Sequence, residues 1–157
     1  MQQQLFFKVL ATSAVLLVAN CSWAAPFAYS TNEKSGTVSV IDTQKDEVVG
    51  TFNAGQKPRG AAISSDGKYI FVSDQPHNAL VVINLETKAI SDTIKLEASP
   101  EGVSISPDGK WMAAANEEDN SVSFIDTATH KVSYKVKMQG TNPEHAEFSP
   151  DGKWMYV

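Results

Sequence analysis

One segment recurs three times along this chain, and the spacing of its copies limits what the chain can fold into. Pro58-Arg59-Gly60-Ala61-Ala62-Ile63-Ser64-Ser65-Asp66-Gly67-Lys68 returns, with changes, as Pro100 to Lys110 and as Pro143 to Lys153. Asp66, Asp108 and Asp151 stand 42 and 43 residues apart, and Ile41, Ile83 and Ile125 recur every 42. Repeats of this length made of short alternating strands are the mark of propeller blades, each of which buries its apolar face only against its neighbours. The expected fold is all-β: a β-propeller of four-stranded antiparallel blades of about 42 residues.

The second copy shows the blade in detail. Glu101 to Ser106 alternates polar and apolar residues, as a half-buried strand does. Ser106-Pro107-Asp108-Gly109 supplies a turn, with Pro setting φ and Gly accepting a positive φ. Trp111 to Asn116, Ser121 to Ile125 and Val132 to Val136 read as the next three strands, joined by Glu117-Glu118-Asp119-Asn120 and by a turn starting at Asp126. Lys135 and Lys137, like Asp92 and Lys95 one copy earlier, put charge on the fourth strand, which suits an outer edge. Before Pro58 only three strands are legible, at 27–31, 37–41 and 48–52, so the first blade lacks its innermost strand.

At about 42 residues per blade, 157 residues hold about three blades, and closed propellers need roughly four to eight. The expectation is an N-terminal part of a propeller spanning 25–157, with repeats at about 28–68, 69–110 and 111–153. The missing strand would then come from beyond residue 157.

Residues 1–24 read as a secretory signal peptide. Lys8 precedes an apolar run from Val9 to Ala19, and Ser22-Trp23-Ala24 offers small residues at a cleavage site. A lipid-modified Cys21 is the weaker alternative, because Asn20 is a poor fit before it. The run is too short for a mature membrane helix, so the chain is expected in the periplasm and not within the membrane. Cleavage after Ala24 removes Lys8 and Cys21 and takes the formal charge from −5 to −6. A cysteine-free exported protein rests on its core and its ladders, not on disulfides. The acidic balance and the single arginine, Arg59, argue against a nucleic-acid partner.

The aromatic-rich strand, then Gly36-Thr37-Val38-Ser39-Val40-Ile41-Asp42-Thr43, then Pro-x-Gly-x-x-x-Ser-Pro-Asp-Gly-Lys, resembles the YVTN-family β-propeller repeat over Phe27 to Val157. Asn32 to Gly36 and Pro58-Arg59-Gly60 are most similar to periplasmic propellers associated with PQQ-dependent catabolism. The resemblance implies seven blades in the complete protein and a non-catalytic binding or scaffold role. It further implies an accessory part in alcohol or aldehyde catabolism, with a quinoprotein dehydrogenase as partner. The family also holds lactonase-like enzymes, haem d1-binding domains and surface-layer proteins, so a propeller enzyme, a cofactor carrier and a cell-surface structural protein are the alternatives.

In such propellers ligands sit at the channel mouth, beside the start of the innermost strands. The resemblance therefore places Arg59, Glu101, Glu144 and His145 near one rim. His145 and Glu147 replace Gly60 or Gly102 and Ala62 or Ser104. Two apart on a strand, they would share a face about 7 Å from each other, close enough to share a proton or a ligand. His77 reads as a structural or surface loop residue, and His130, at a turn tip, as exposed and uninvolved. Tyr69, Trp111 and Trp154 recur at the start of the second strand and read as packing. The Asp-Gly pairs read as turn chemistry and not as a calcium site. No nucleophile elbow, phosphate loop or Cys-x-x-Cys-His occurs, so no catalytic residue, metal or cofactor is assigned.

Overall fold

The computed structural model describes residues 27–157. The expected signal peptide, Cys21 and the cleavage site lie outside the described residues. The first sheet holds β1 (Phe27–Asn32), β2 (Thr37–Asp42) and β3 (Glu47–Asn53) in that order. The second holds β4 (Pro58–Ile63), β5 (Tyr69–Asp74), β6 (Ala79–Asn84) and β7 (Ala89–Lys95). The third holds β8 (Pro100–Ile105), β9 (Trp111–Asn116), β10 (Ser121–Asp126) and β11 (Lys131–Lys137), and a short pair follows, β12 (Glu147–Phe148) with β13 (Met155–Tyr156). Every neighbouring pair is antiparallel and in chain order, as in a propeller blade. Each sequence repeat therefore straddles a sheet boundary: it takes three strands of one blade and the first strand of the next.

Local chemistry sets these boundaries. Ser106 closes its turn three times over: its carbonyl accepts from Gly109 N–H at 2.8 Å, its Oγ donates to Asp108 Oδ1 at 2.7 Å, and Oγ also accepts from Trp111 N–H at 3.0 Å. Ser64 with Asp66 and Ser149 with Asp151 repeat the arrangement. These carboxylates are thus occupied by the turn. At the other turn, Asp126 Oδ1 accepts from the N–H groups of Ala128 and Thr129, and Asp42 and Asn84 do the same in their blades. A bulge falls at one repeat position in each blade, after Val40, Val82 and Phe124, where the third strand meets the fourth.

Alternation along β5 and β9 makes each sheet serve two neighbours. Ile70 and Val72 pack toward the first sheet against Val38, Val40 and Phe52, whereas Phe71 packs toward the third against Val103, Met112 and Ile125. In the third sheet Ala113 and Ala115 face onward to Ala146. Full burial of a side chain such as Phe71 or Ile83 contributes about 1.5–3 kcal/mol.

Nearer the axis the seams are closed by main chain. A Cβ on Gly60 would lie 2.3 Å from the carbonyl oxygen of Glu101 and 2.6 Å from the amide nitrogen of Val103. Gly102 meets the next segment in the same way and donates its N–H to the carbonyl of Glu144 at 2.8 Å.

One exchange between copies is compensated within its blade. Asn32 and Asn116 donate to Thr37 and Ser39, and to Ser121 and Ser123, respectively. The second blade has Asp74 there, facing Ala79 and Val81 across the ladder positions. Buried Asp74 instead accepts from Gln56 N–H at 3.2 Å and sits 2.7 Å from Nδ1 of His77.

Two expectations change. His130 is not an uninvolved turn residue: its left-handed backbone (φ 57) brings Nδ1 to 2.7 Å from Asp92 on the preceding blade, and its ring meets Phe71 edge-on. Trp154 does not pack as Tyr69 and Trp111 do. It is 68% exposed, because no sheet among the described residues covers that flank. The charges of the outer strands bind across elements as well as marking an edge: Lys135 pairs with Glu97 at 2.8 Å, and Lys137 with Asp119 at 2.7 Å.

Gly60→Ala is expected to cost about 3 kcal/mol or more in urea unfolding. Gly140→Ala, where a Cβ meets nothing within 4 Å, should stay within about 0.5 kcal/mol. Equal effects would refute the seam argument. Lys137, then Ser121, hold the Asp119 carboxyl down at about 2. Its contribution is therefore complete above 3.8 and lost as pH falls through about 2. The stability gap between wild type and Asp119→Asn should close over that interval in acid titrations.

Candidate functional site

Three repeat positions converge on one end of the blades. The residue after each second strand is Glu33, Gln75 or Glu117, the residue before each inner strand is Lys57, Ser99 or Asn142, and the second residue of each inner segment is Arg59, Glu101 or Glu144. The turns that carry them are pinned by residues with left-handed backbone. Gly36, Asn78 and Asn120 each offer a carbonyl to the connection that precedes an inner strand, receiving Ala54, Leu96 and Met138 N–H at 2.8–2.9 Å. Asn78 and Asn120 also accept, through Oδ1, from the N–H groups of Ser99 and Asn142.

Glu101 is the centre of the resulting network. It is 2% exposed, on β8 at the seam between the second and third blades. Arg59 reaches across from β4 and places Nε 2.7 Å from Glu101 Oε2, while its Nη1 lies 3.3 Å from Glu33. The Gln75 side-chain amide donates to the other oxygen of Glu101 and, at 2.8 Å, to Ser99 Oγ. Ser99 Oγ in turn donates to Glu117 at 3.2 Å. Lys57 closes the circuit by bonding Gln75 and standing 3.4 Å from Glu33.

Burial pushes the Glu101 carboxyl above the ordinary glutamate range. The like charge of Glu117 nearby pushes the same way, and Arg59 opposes both. A buried carboxyl that holds a proton more readily than usual, beside a second carboxylate and a guanidinium, can donate or accept a hydrogen bond or take part in proton transfer. Beside it opens a polar cavity of about 490 Å³ lined by Lys57, Gln75, Asn78, Ser99, Glu117 and Glu118.

The structure thus joins Arg59 and Glu101 and leaves the other three sequence candidates apart. Glu144, His145 and Glu147 are exposed. His145 is not on a strand. The ladder of β12 covers only Glu147 opposite Tyr156 and Phe148 opposite Met155, and Glu144 turns its carbonyl to Gly102. The shared face expected of His145 and Glu147 is therefore not formed, and no hydrogen bond joins them. Glu33, Lys57, Gln75, Ser99 and Glu117 were missed by reading the inner strands alone. The signal for them lay in the neighbouring repeat columns, which stay polar while changing identity from copy to copy.

Comparison with known proteins supports this architecture. A family described as "Lactonase, 7-bladed beta-propeller" matches residues 20–137. Proteins of Salmonella typhi and Salmonella typhimurium, each named "Uncharacterized protein YncE", are 46% identical over 46 residues, 29% of this chain and 13% of theirs. The chain thus matches about an eighth of the length of those relatives. Among solved structures, Kuenenia stuttgartiensis hydrazine synthase superposes with a TM-score of 0.78 at 26% identity, over 83% of this chain and 38% of that one.

A carboxyl raised on folding stabilises only while protonated, so its contribution is present below 4.5 and is lost as pH rises. Wild type is therefore expected to lose stability relative to Glu101→Gln as pH rises above about 4.5, in denaturation followed at several pH values. A gap independent of pH would show that burial and Glu117 do not act on Glu101.

Proposed function

Because this chain belongs to the seven-bladed β-propeller lactonase family, we propose that it works as the rigid frame of a binding site at the end where Arg59, Glu101 and Glu117 converge. The observation that carries this reading is the burial of Glu101 in a cross-blade circuit of polar side chains. Such a circuit orders its groups before any ligand arrives and so lowers the entropic cost of binding. Its mixture of one guanidinium, an amide and carboxyls suits a small polar molecule or the polar loop of a partner protein. The signal-peptide pattern of residues 1–24 supports placing the protein in the periplasm. The YVTN-type repeats support an accessory role beside a quinoprotein dehydrogenase in PQQ-dependent alcohol or aldehyde catabolism.

A second reading rests on the same residue. Glu101, poised to hold a proton beside Glu117, is suited to general acid–base work, and the family's description names a lactonase. In that reading Arg59 orients Glu101 and stabilises developing negative charge.

The two readings separate in one pair of variants, Arg59→Ala and Glu101→Gln, made in the intact protein. Native mass spectrometry and periplasmic pull-down should recover a bound molecule or partner from wild type and lose it in both variants. Retention in both variants would sink the binding reading. The enzymatic reading requires wild type to hydrolyse lactones, with the rate falling about 100-fold or more in Glu101→Gln.

A further inference from the structure

The repeat is broken twice at the end of the blades opposite the rim circuit. Ser65 stands where the later copies have Pro107 and Pro150, and His130 stands where the earlier copies have Asp46 and Lys88. Both residues line one cleft between the second and third blades, a cavity of about 410 Å³. That volume is in the range of small-ligand pockets. Neither wall is cut short, since both sheets have all four of their strands. Tyr69 and Phe71 of β5 give the cleft an aromatic side, and Phe71 meets the His130 ring edge-on with centroids 5.8 Å apart.

Most polar groups in the lining are already used. Ser64 Oγ and Asp66 Oδ1 close the β4–β5 turn, and Thr127 Oγ1 donates to the Gly109 carbonyl at 2.7 Å. Asp92 Oδ2 lies 2.7 Å from His130 Nδ1. A carboxylate only accepts, so the proton sits on Nδ1 and the neutral imidazole is left with Nε2 as an acceptor. His130 Nε2 and the hydroxyls of Ser65 and Tyr69 have no hydrogen-bond partner among the described residues.

We propose that this cleft binds a small, flat, neutral molecule of the phenol class, with its ring on the aromatic side and its O–H donating to His130 Nε2. Asp92 positions the imidazole, and the Ser65 hydroxyl can donate to the ligand oxygen. Asp66 in the lining and Asp92 behind the ring carry negative charge, which disfavours an anion. The cleft lies at the far end of the blades from Arg59 and Glu101. It therefore stands whether or not the rim binds a ligand.

The test is a titration of the intact protein with phenol, followed through the imidazole 15N–1H correlations of its three histidines. His130 Nε2 should shift saturably while His77 and His145 stay unmoved. Anisole has the ring without the O–H, and benzoate is charged; each should bind about fivefold more weakly or worse. Two variants, with phenol binding read by saturation transfer, locate the site. His130→Asn suits the positive φ, as Asn78 and Asn120 do, and should abolish binding by removing the acceptor. Ser65→Pro restores the residue of the other copies, where Pro107 stands 3.7 Å from Gly152. It should keep Tm and weaken phenol about threefold or more. Absence of a saturable His130 shift, equal binding of phenol and anisole, or unchanged phenol binding in either folded variant would each overturn the proposal.

Discussion

Contact between the main chains of successive inner strands is the constraint on which the rest of this structure depends. Blades that meet through side chains can adjust by rotamer changes, but at Gly60 and Gly102 no side chain exists to yield. The approach sets the distance between sheets at the axis. Once that distance is set, Phe71, Ile70 and Val72 of one strand can reach both neighbouring sheets, and Arg59 can reach Glu101 in the next blade. Core and rim therefore follow from the same narrow seam.

The rim circuit is a consequence of repetition with variation. Because each blade delivers the same three positions to the same end, a cation in one copy comes to lie beside a carboxylate in the next. Arg59 and Glu101 occupy one repeat position, yet they pair because they belong to successive blades. A buried charge is tolerated only when it is paired and hydrogen-bonded, and Glu101 has both kinds of partner.

The strands and their order were legible from the chain because blade formation is local. Alternation, Ser-Pro-Asp-Gly turns and the 42-residue period are each contained within a few residues or one repeat. Arg59 and Glu101 were also found in this way, since the repeat phase identifies the inner strand. Gln75 and Glu117 were not, because their part in the site depends on which residue of another blade stands opposite, and that is a property of the ring. His130 was misjudged for a related reason: a residue at a turn tip usually points outward, and it is the neighbouring blade, with Asp92 on it, that engages this ring. Residues His145 and Glu147 show the reverse case, in which strand alternation was assumed two residues further than the ladder extends.

The replacement of Asn by Asp at position 74 bears on how such a chain can change over time. Asn32 and Asn116 give hydrogens to hydroxyls on the adjacent strand, whereas Asp74 can only receive, and it takes them from Gln56 and His77. The accompanying losses of hydroxyl at Ala79 and Val81 keep that blade in balance. Copies that look interchangeable in alignment are therefore matched sets. Shuffling one residue between them would strand a donor or an acceptor in a dry interior, while exchange of a whole blade would not. Duplication and recombination in whole repeats is the route this architecture leaves open.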